Sequence, residues 1–249
     1  MVTFNDTKRD AEWYADYERY THYHTPSQLI KYYANYYEYK ELPTLEQFKQ
    51  DIKDQQRFHL ERGQQHLLFI FPENVELTEE LLNYGETEGL TLEKMELYRA
   101  DTSQLEANNH PSVDIVEVLE RGKAFNDFLV VCRESEIEYG EDFVELKRQT
   151  HTRDLLDPSV VQLVAYIHGE PAGKLEAILN ERTVELDDFY VRAVFRGQGI
   201  GSMLQQFVWN RAGERPVILV ADGNDTAREM YQKQGYKKIS ERYEFLKAE

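Results

Sequence analysis

Seven consecutive residues, Arg196-Gly197-Gln198-Gly199-Ile200-Gly201-Ser202, have the composition of an anion cradle. Glycine lets a backbone come close to a phosphate. The first N–H groups of a following helix have no partner inside that helix, so they face outward at the positive end of its dipole. Shortly before this stretch, Glu185 and Asp187 stand two apart in a β-prone run. In a regular strand they share one face with Phe189 and Val191, while Asp188 points to the other. Carboxylates so placed can take a proton from an ammonium group or hold it as an ion. After the stretch comes Tyr231, a phenol that is neutral near pH 7 and able to donate a hydrogen bond.

These residues need elements to hold them. Val184 to Val191 reads as a strand and Met203 to Arg211 as a helix, so the glycines form a strand-to-helix turn. Upstream, Val113 to Leu119 alternates as a strand, Lys123 to Arg133 and Glu141 to Leu156 read as helices, and Val160 to Ile167 is strongly β-prone. Turns at His168 to Gly173 and at Asn180 to Arg182 join Val160–Ile167, Lys174–Leu179 and Val184–Val191 into an antiparallel meander. Downstream come a buried strand, Val217 to Val220, a helix from about Thr226 to Gln234, and a final hairpin, Lys237 to Leu246.

The first hundred residues read differently. Tyr14, Tyr17 and Tyr20 recur at a spacing that suits one helix face, and Thr25-Pro26-Ser27-Gln28 has the form of a capping box launching a helix over Leu29 to Tyr39. His22 and His24, with no third ligand nearby, fit packing better than a metal. A second capping box, Thr44-Leu45-Glu46-Gln47, starts a helix that Gly63 ends. Leu67 to Phe71 is a strand, Leu77 to Glu88 a helix and Thr91 to Tyr98 a strand. This strand–helix–strand order matches that of Val217 to Lys247, which leaves open a worn internal repeat. Asp101 to Ser112 is polar and aperiodic and reads as a linker, dividing the chain into a smaller α/β domain at 1–105 and a second domain at 112–249.

Composition bounds the partners. The chain has 249 residues, 41% hydrophobic and 12% aromatic, as a folded protein requires. Its formal net charge of −17 argues against nucleic acid or an anionic membrane as partner. The single cysteine, Cys132, lies in an apolar run and reads as a buried, inert thiol. Nothing resembles a signal peptide or a membrane span, so a cytoplasmic location is expected.

The order of elements over residues 112 to 249, with Arg196-Gly197-Gln198-Gly199-Ile200-Gly201 and the later block Asn224, Ala227, Tyr231, Gly235-Tyr236, resembles the GNAT superfamily of acyl-CoA-dependent N-acetyltransferases. The resemblance implies an α+β (mixed α/β) fold, a central, mostly antiparallel twisted sheet flanked by helices. It implies acetyl-CoA as co-substrate, held by Arg196, Gly197 and the backbone amides of Gln198, Gly199, Ile200, Gly201 and Ser202, with Asn224 and Ala227 nearby, and no metal. Val191 would direct a main-chain N–H at the thioester carbonyl, an oxyanion-hole role. Tyr231 would protonate the departing thiolate. Glu185 is the first choice of base and Asp187 the second, some relatives using a water chain instead. Ala193 stands where proline is frequent in the family. The acceptor is a small-molecule or peptide amine, and the oligomeric state is open between monomer and homodimer. The competing reading is a catalytically silent acyl-CoA-binding sensor or scaffold, motivated by an N-terminal half without a catalytic motif.

Overall fold

The computed structural model describes residues 1–101, 112–224 and 227–248, with main chain alone at 227–229. In chain order the first half contains β1 (Trp13–Asp16), β2 (Tyr20–His24), β3 (Asn35–Tyr39), α1 (Leu45–Leu60), β4 (Leu67–Ile70), α2 (Glu79–Thr87) and β5 (Thr91–Ala100). The second half contains β6 (Val113–Glu117), α3 (Lys123–Glu136), α4 (Glu141–Asp154), β7 (Val160–Ile167), β8 (Glu170–Leu179), β9 (Val184–Val191), α5 (Ile200–Ala212), β10 (Val217–Asp222), α6 (Ala227–Lys233) and β11 (Lys237–Lys247). The linker expected over Asp101–Ser112 lies, apart from its two ends, outside the described residues.

Among the described residues eleven strands form one mixed sheet in the order β1-β2-β3-β4-β11-β5-β10-β9-β8-β7-β6. Among the described strands only β3 with β4 and β9 with β10 run parallel. Both halves share one plan, an antiparallel meander, a helix, a strand parallel to the last meander strand, a helix and a closing strand, with β6, α3 and α4 preceding the meander in the second half alone. The closing strands change places. β5, from the first half, pairs with β10, and β11, from the second, lies between β4 and β5. We keep the division at 1–105 and 112–249 as a proposal about sequence units, because these ladders join both into one sheet.

Each face of the sheet has its own core. Under α5, Leu163, Leu175, Leu186, Leu204, Val217 and Tyr98 are buried together. On the opposite face, α3 packs Phe125, Phe128 and Cys132 onto Val164 and Tyr166. In the first half, Tyr37, Phe48, Phe69, Leu81 and Phe245 form an aromatic-rich core, to which β11 contributes Phe245.

Three expected elements are replaced. The tyrosines expected on one helix face belong to β1, β2 and the turn between them, and Leu29–Tyr39 forms a short 3-10 turn (Tyr32–Ala34) followed by β3. The hydroxyl of Thr25, expected to cap a helix, accepts from the Glu12 N–H at 2.9 Å instead. Asn35 turns the chain by donating to the carbonyls of Gln28 and Lys31. Cross-strand aromatic contacts, with Tyr20 stacked on Tyr37 at 4.3 Å, outweigh the helical spacing. The expected last hairpin over Lys237 to Leu246 is a single strand, β11, with a register irregularity between Lys238 and Ser240. By contrast, the Thr44 capping box forms as expected, with both reciprocal hydrogen bonds present.

Candidate functional site

The glycine stretch forms a turn between β9 and α5. Gly197 and Gly199 have φ of +75° and +77°, which a side chain would strain. Gly199 occupies the N-cap of α5 and no side chain caps the helix, nor does the first turn carry an acidic residue. The first intrahelical bond of that turn is donated by Met203 to Gly199, at 3.1 Å, so the amides of Ile200, Gly201 and Ser202 have no acceptor within the helix. The corresponding helix of the first half, α1, is the opposite: Thr44 caps it and Glu46 sits in its first turn. An anion is therefore favoured at the start of α5 and disfavoured at that of α1. At Gly201 a Cβ would come within 3.0 Å of the Phe189 ring, so that glycine also serves packing against β9. Arg196 turns back, its Nε donating to the Val191 carbonyl at 3.1 Å.

Beside this turn the sheet splits. β9 and β10 pair only through Val184–Val217 and Glu185–Ile218, and no further rungs join them. The N–H of Arg192 donates to Ala172 on the β8 side at 3.0 Å. Successive amides of an extended strand alternate in direction, so the N–H of Val191 faces the split.

The carboxylates expected on one face of β9 are divided from their neighbours by a bulge. Register against β8 shifts between Lys174–Tyr190 and Glu176–Asp187, and Asp188 takes a φ of +44°. The bulge reverses the alternation, so Phe189 and Val191 join the α5 core while Glu185 and Asp187 stay on the opposite face. Asp188 also turns to that opposite face. Its carboxylate pairs with the fully buried Lys174 ammonium and lies 3.2 Å from Lys147 and 3.6 Å from His151. Burial opposes its charge, but Lys174, Lys147 and His151 together hold the carboxyl well below its ordinary range. Burial likewise disfavours an imidazolium at His151, yet its contacts with Cys132, Glu136 and Glu176 raise its pKa well above normal. Its two nitrogens donate to Glu136 at 2.8 Å and Glu176 at 3.0 Å. This network clamps an otherwise costly backbone conformation at the point where the sheet opens. Replacing Lys174 with Met should remove the nearest cationic partner of Asp188 and destabilise the fold by about 3 kcal/mol, measured by urea denaturation at pH 7; a change below 0.5 kcal/mol, roughly that of a surface substitution, would contradict the clamp.

Glu185 and Asp187 line a cavity of about 310 Å³ whose walls come from both halves of the chain. Asp187 and Asp188 border it from β9 and Val220 from β10, so it abuts the split; Tyr36 and Ile70 belong to β3 and β4. The first ten residues close one side: the Lys8 N–H donates to Glu185 Oε2 at 2.6 Å, and Phe4 packs on Leu97 and Ile218. Burial, then Asp187, push the Glu185 carboxyl up to about 8, with Lys8 pulling partly the other way. Asp187 is also raised, by burial and by Asp188 and Glu176.

Tyr231 lies across the sheet from these carboxylates. It is half-buried on α6, with its ring 6.3 Å from that of Tyr98 and 5.9 Å from that of Tyr236. The N–H of Asn224, just before α6, donates to Asp222 at 2.8 Å, and Ala227 opens the helix. The structure thus collects the glycine turn, Val191 and Tyr231 on the α5 side, and Glu185 with Asp187 on the other. Sequence reasoning missed Lys8, Asp10, Lys31, Lys147 and Lys174. They approach from distant segments, and an isolated lysine carries no local signal of burial.

No helix among the described residues is long and apolar enough to cross a membrane. Residues 126–236 match the family model described as Acetyltransferase (GNAT) family, and residues 2–98 match a domain of unknown function, DUF5613. A functionally unknown conserved protein from Staphylococcus epidermidis is 36% identical, the match covering 99% of this chain and 97% of that one with a TM-score of 0.92. A GCN5-related N-acetyltransferase from Sphaerobacter thermophilus is similar over 80% of this chain and 67% of its own, at 16% identity and TM-score 0.63. A tandem GNAT protein from the clavulanic acid biosynthesis pathway is similar over 80% of this chain and 69% of its own, at 11% identity and TM-score 0.56. The last two likenesses concern the fold. No curated protein matches the chain.

Proposed function

Because residues 126–236 of this chain belong to the acetyltransferase (GNAT) family, we propose that it transfers an acetyl group from acetyl-CoA to a primary amine by direct attack in a ternary complex. The observation that carries this reading is the uncapped, glycine-led start of α5 placed beside the split between β9 and β10. In this reading the amides from Gln198 to Ser202 hold the pyrophosphate, with Arg196 and Gly197 at the entry and Asn224 and Ala227 flanking the same side. The N–H of Val191 donates to the thioester oxygen and favours the negative charge that grows there as the amine attacks.

Proton traffic is divided between the faces of the sheet. An ammonium acceptor loses a proton to Glu185, whose raised affinity for protons suits it to that task near neutral pH. The freed nitrogen forms a bond to the acetyl carbon, the carbon–sulfur bond breaks, the departing thiolate takes its proton from Tyr231, and the second proton shed by the nitrogen as it becomes an amide restores the phenol. Asp187 is the second candidate for base. Cys132 is 1% exposed and belongs to α3, on the face of the sheet opposite α5, so direct transfer is favoured over an acyl-enzyme.

Calorimetry with acetyl-CoA tests the cofactor assignment, and absence of binding would overturn it. Tyr231→Phe should lower turnover by about 10- to 100-fold while leaving affinity for CoA within about twofold. Unchanged turnover would remove Tyr231 as the acid.

A further inference from the structure

The cavity facing Glu185 and Asp187 has an uneven charge balance. Every cation on its wall already has a carboxylate partner: Lys8 with Asp154 at 2.7 Å, Arg9 with Glu38 at 2.7 Å, Lys31 with Asp10 at 2.5 Å, Lys147 with Asp188 at 3.2 Å and Arg242 with Glu244 at 2.9 Å. Glu185 and Asp187 differ. Neither has an ammonium or guanidinium within 4 Å among the described residues, and each accepts only a main-chain N–H, from Lys8 and Asp188 respectively. Glu185 is 5% exposed, so water would compensate little of a charge there. The cavity wall thus has every cation paired, two carboxylates without a cation in contact, and no positive charge to spare for a ligand carboxylate.

The volume narrows the ligand further. At about 310 Å³ the space lies near the lower end of small-molecule pockets. It is closed on one side by the chain's first ten residues, so a small free amine fits better than a side chain of a folded protein. Attack requires the reacting nitrogen to be uncharged. A monoamine that has given its proton to Glu185 would leave Asp187 uncompensated, whereas a second ammonium on the same molecule would pair with it.

We infer that this cavity is the acceptor subsite and that it selects a small diamine, one nitrogen presented at the split beside Glu185 and the other held as an ammonium against Asp187. The inference rests on the acyl-transfer reading for the role of the first nitrogen, but the binding preference stands on the charge balance alone.

Three amines of similar length test it on the full chain: 1,4-diaminobutane, butylamine and 4-aminobutanoate. With acetyl-CoA, kcat/KM for the diamine should exceed that for butylamine by about tenfold or more, as a buried charge pair allows, with 4-aminobutanoate slowest. Equal rates for diamine and butylamine, or a preference for 4-aminobutanoate, would overturn the inference. In Asp187→Asn the ratio of diamine to butylamine should fall to within about threefold; an undiminished ratio would remove Asp187 as the anchor. If that variant fails to fold, the wild-type ratios still decide. Calorimetry of the three amines without acetyl-CoA separates the two ideas. Tighter binding of the diamine supports the subsite even if acetyl-CoA fails to bind, which would sink the transfer reading alone. Acetyl transfer to amines without diamine preference would sink the subsite inference alone.

Discussion

Glu185→Gln is expected to lower kcat/KM for amine acetylation by roughly 10²- to 10³-fold, the loss associated with removing a positioned general base. The wild-type rate should rise about tenfold per pH unit on an acid limb that levels near pH 8, the value to which burial and Asp187 push this carboxyl. The variant should lack that limb. Stability should move the opposite way. A carboxyl with a raised folded-state pKa favours the folded protein most below its ordinary value of 4.5, and the contribution is lost as pH rises through about 8. Glu185→Gln should therefore match wild type near pH 5 and exceed it by on the order of 1–3 kcal/mol at pH 8.5, read from urea denaturation. A limb near pH 4.5, or a variant of wild-type activity, would show that Glu185 is not the base. This carboxylate is costly to the fold where it stands, as expected for a site under functional constraint.

Acid should unfold the first half before the ordinary carboxylates titrate. Burial, followed by His59 and His24, lowers His22 to about 3, and burial lowers His59 and His66 to about 4, against an ordinary value of 6.5. All three are at most 1% exposed, and His22 Nε2, His59 Nε2 and His66 Nδ1 have no hydrogen-bond partner. The rings pack among aromatics instead, His22 lying 4.5 Å from Phe58 and His59 4.7 Å from His66. An imidazole with a depressed folded-state pKa leaves the unfolded chain binding more protons once pH falls below 6.5. Stability then drops continuously toward pH 4. Glu185 works the other way between pH 8 and 4.5, so it offsets part of the loss but cannot match three histidines. The net loss between pH 7 and 4.5 should be on the order of 5 kcal/mol, comparable to the whole stability of many domains. Urea denaturation across that range measures it, and His22→Gln should flatten the slope by roughly a third. A pH-independent midpoint would mean that water or another partner reaches these rings.

The two halves show why one of them is expected to carry the chemistry. From the end of the meander onward their element order is the same, yet α1 begins with a closed capping box and Glu46, and α5 begins with an open glycine turn. The first half contributes elsewhere, through the Lys8 N–H on Glu185 and through Tyr36 and Ile70 on the cavity wall.

What the sequence determined by itself was local. Glycines with positive φ, a capping box and alternating apolar residues act within a few positions, so the strand–turn–helix at Val184 to Ala212, the capped start of α1 and the buried Cys132 were all legible. The mixed fold and the family resemblance followed from their order. Tertiary structure decided the rest. Helical spacing of Tyr14, Tyr17 and Tyr20 yielded to cross-strand stacking, and one apparent hairpin became β11, inserted between strands of the other half. The facing of Glu185 and Asp187 away from Phe189 and Val191 depended on a bulge at Asp188. That bulge is held by Lys174, Lys147 and His151, from two other elements. Its cause lies in contacts between residues far apart in the chain, and such contacts leave no pattern at either end.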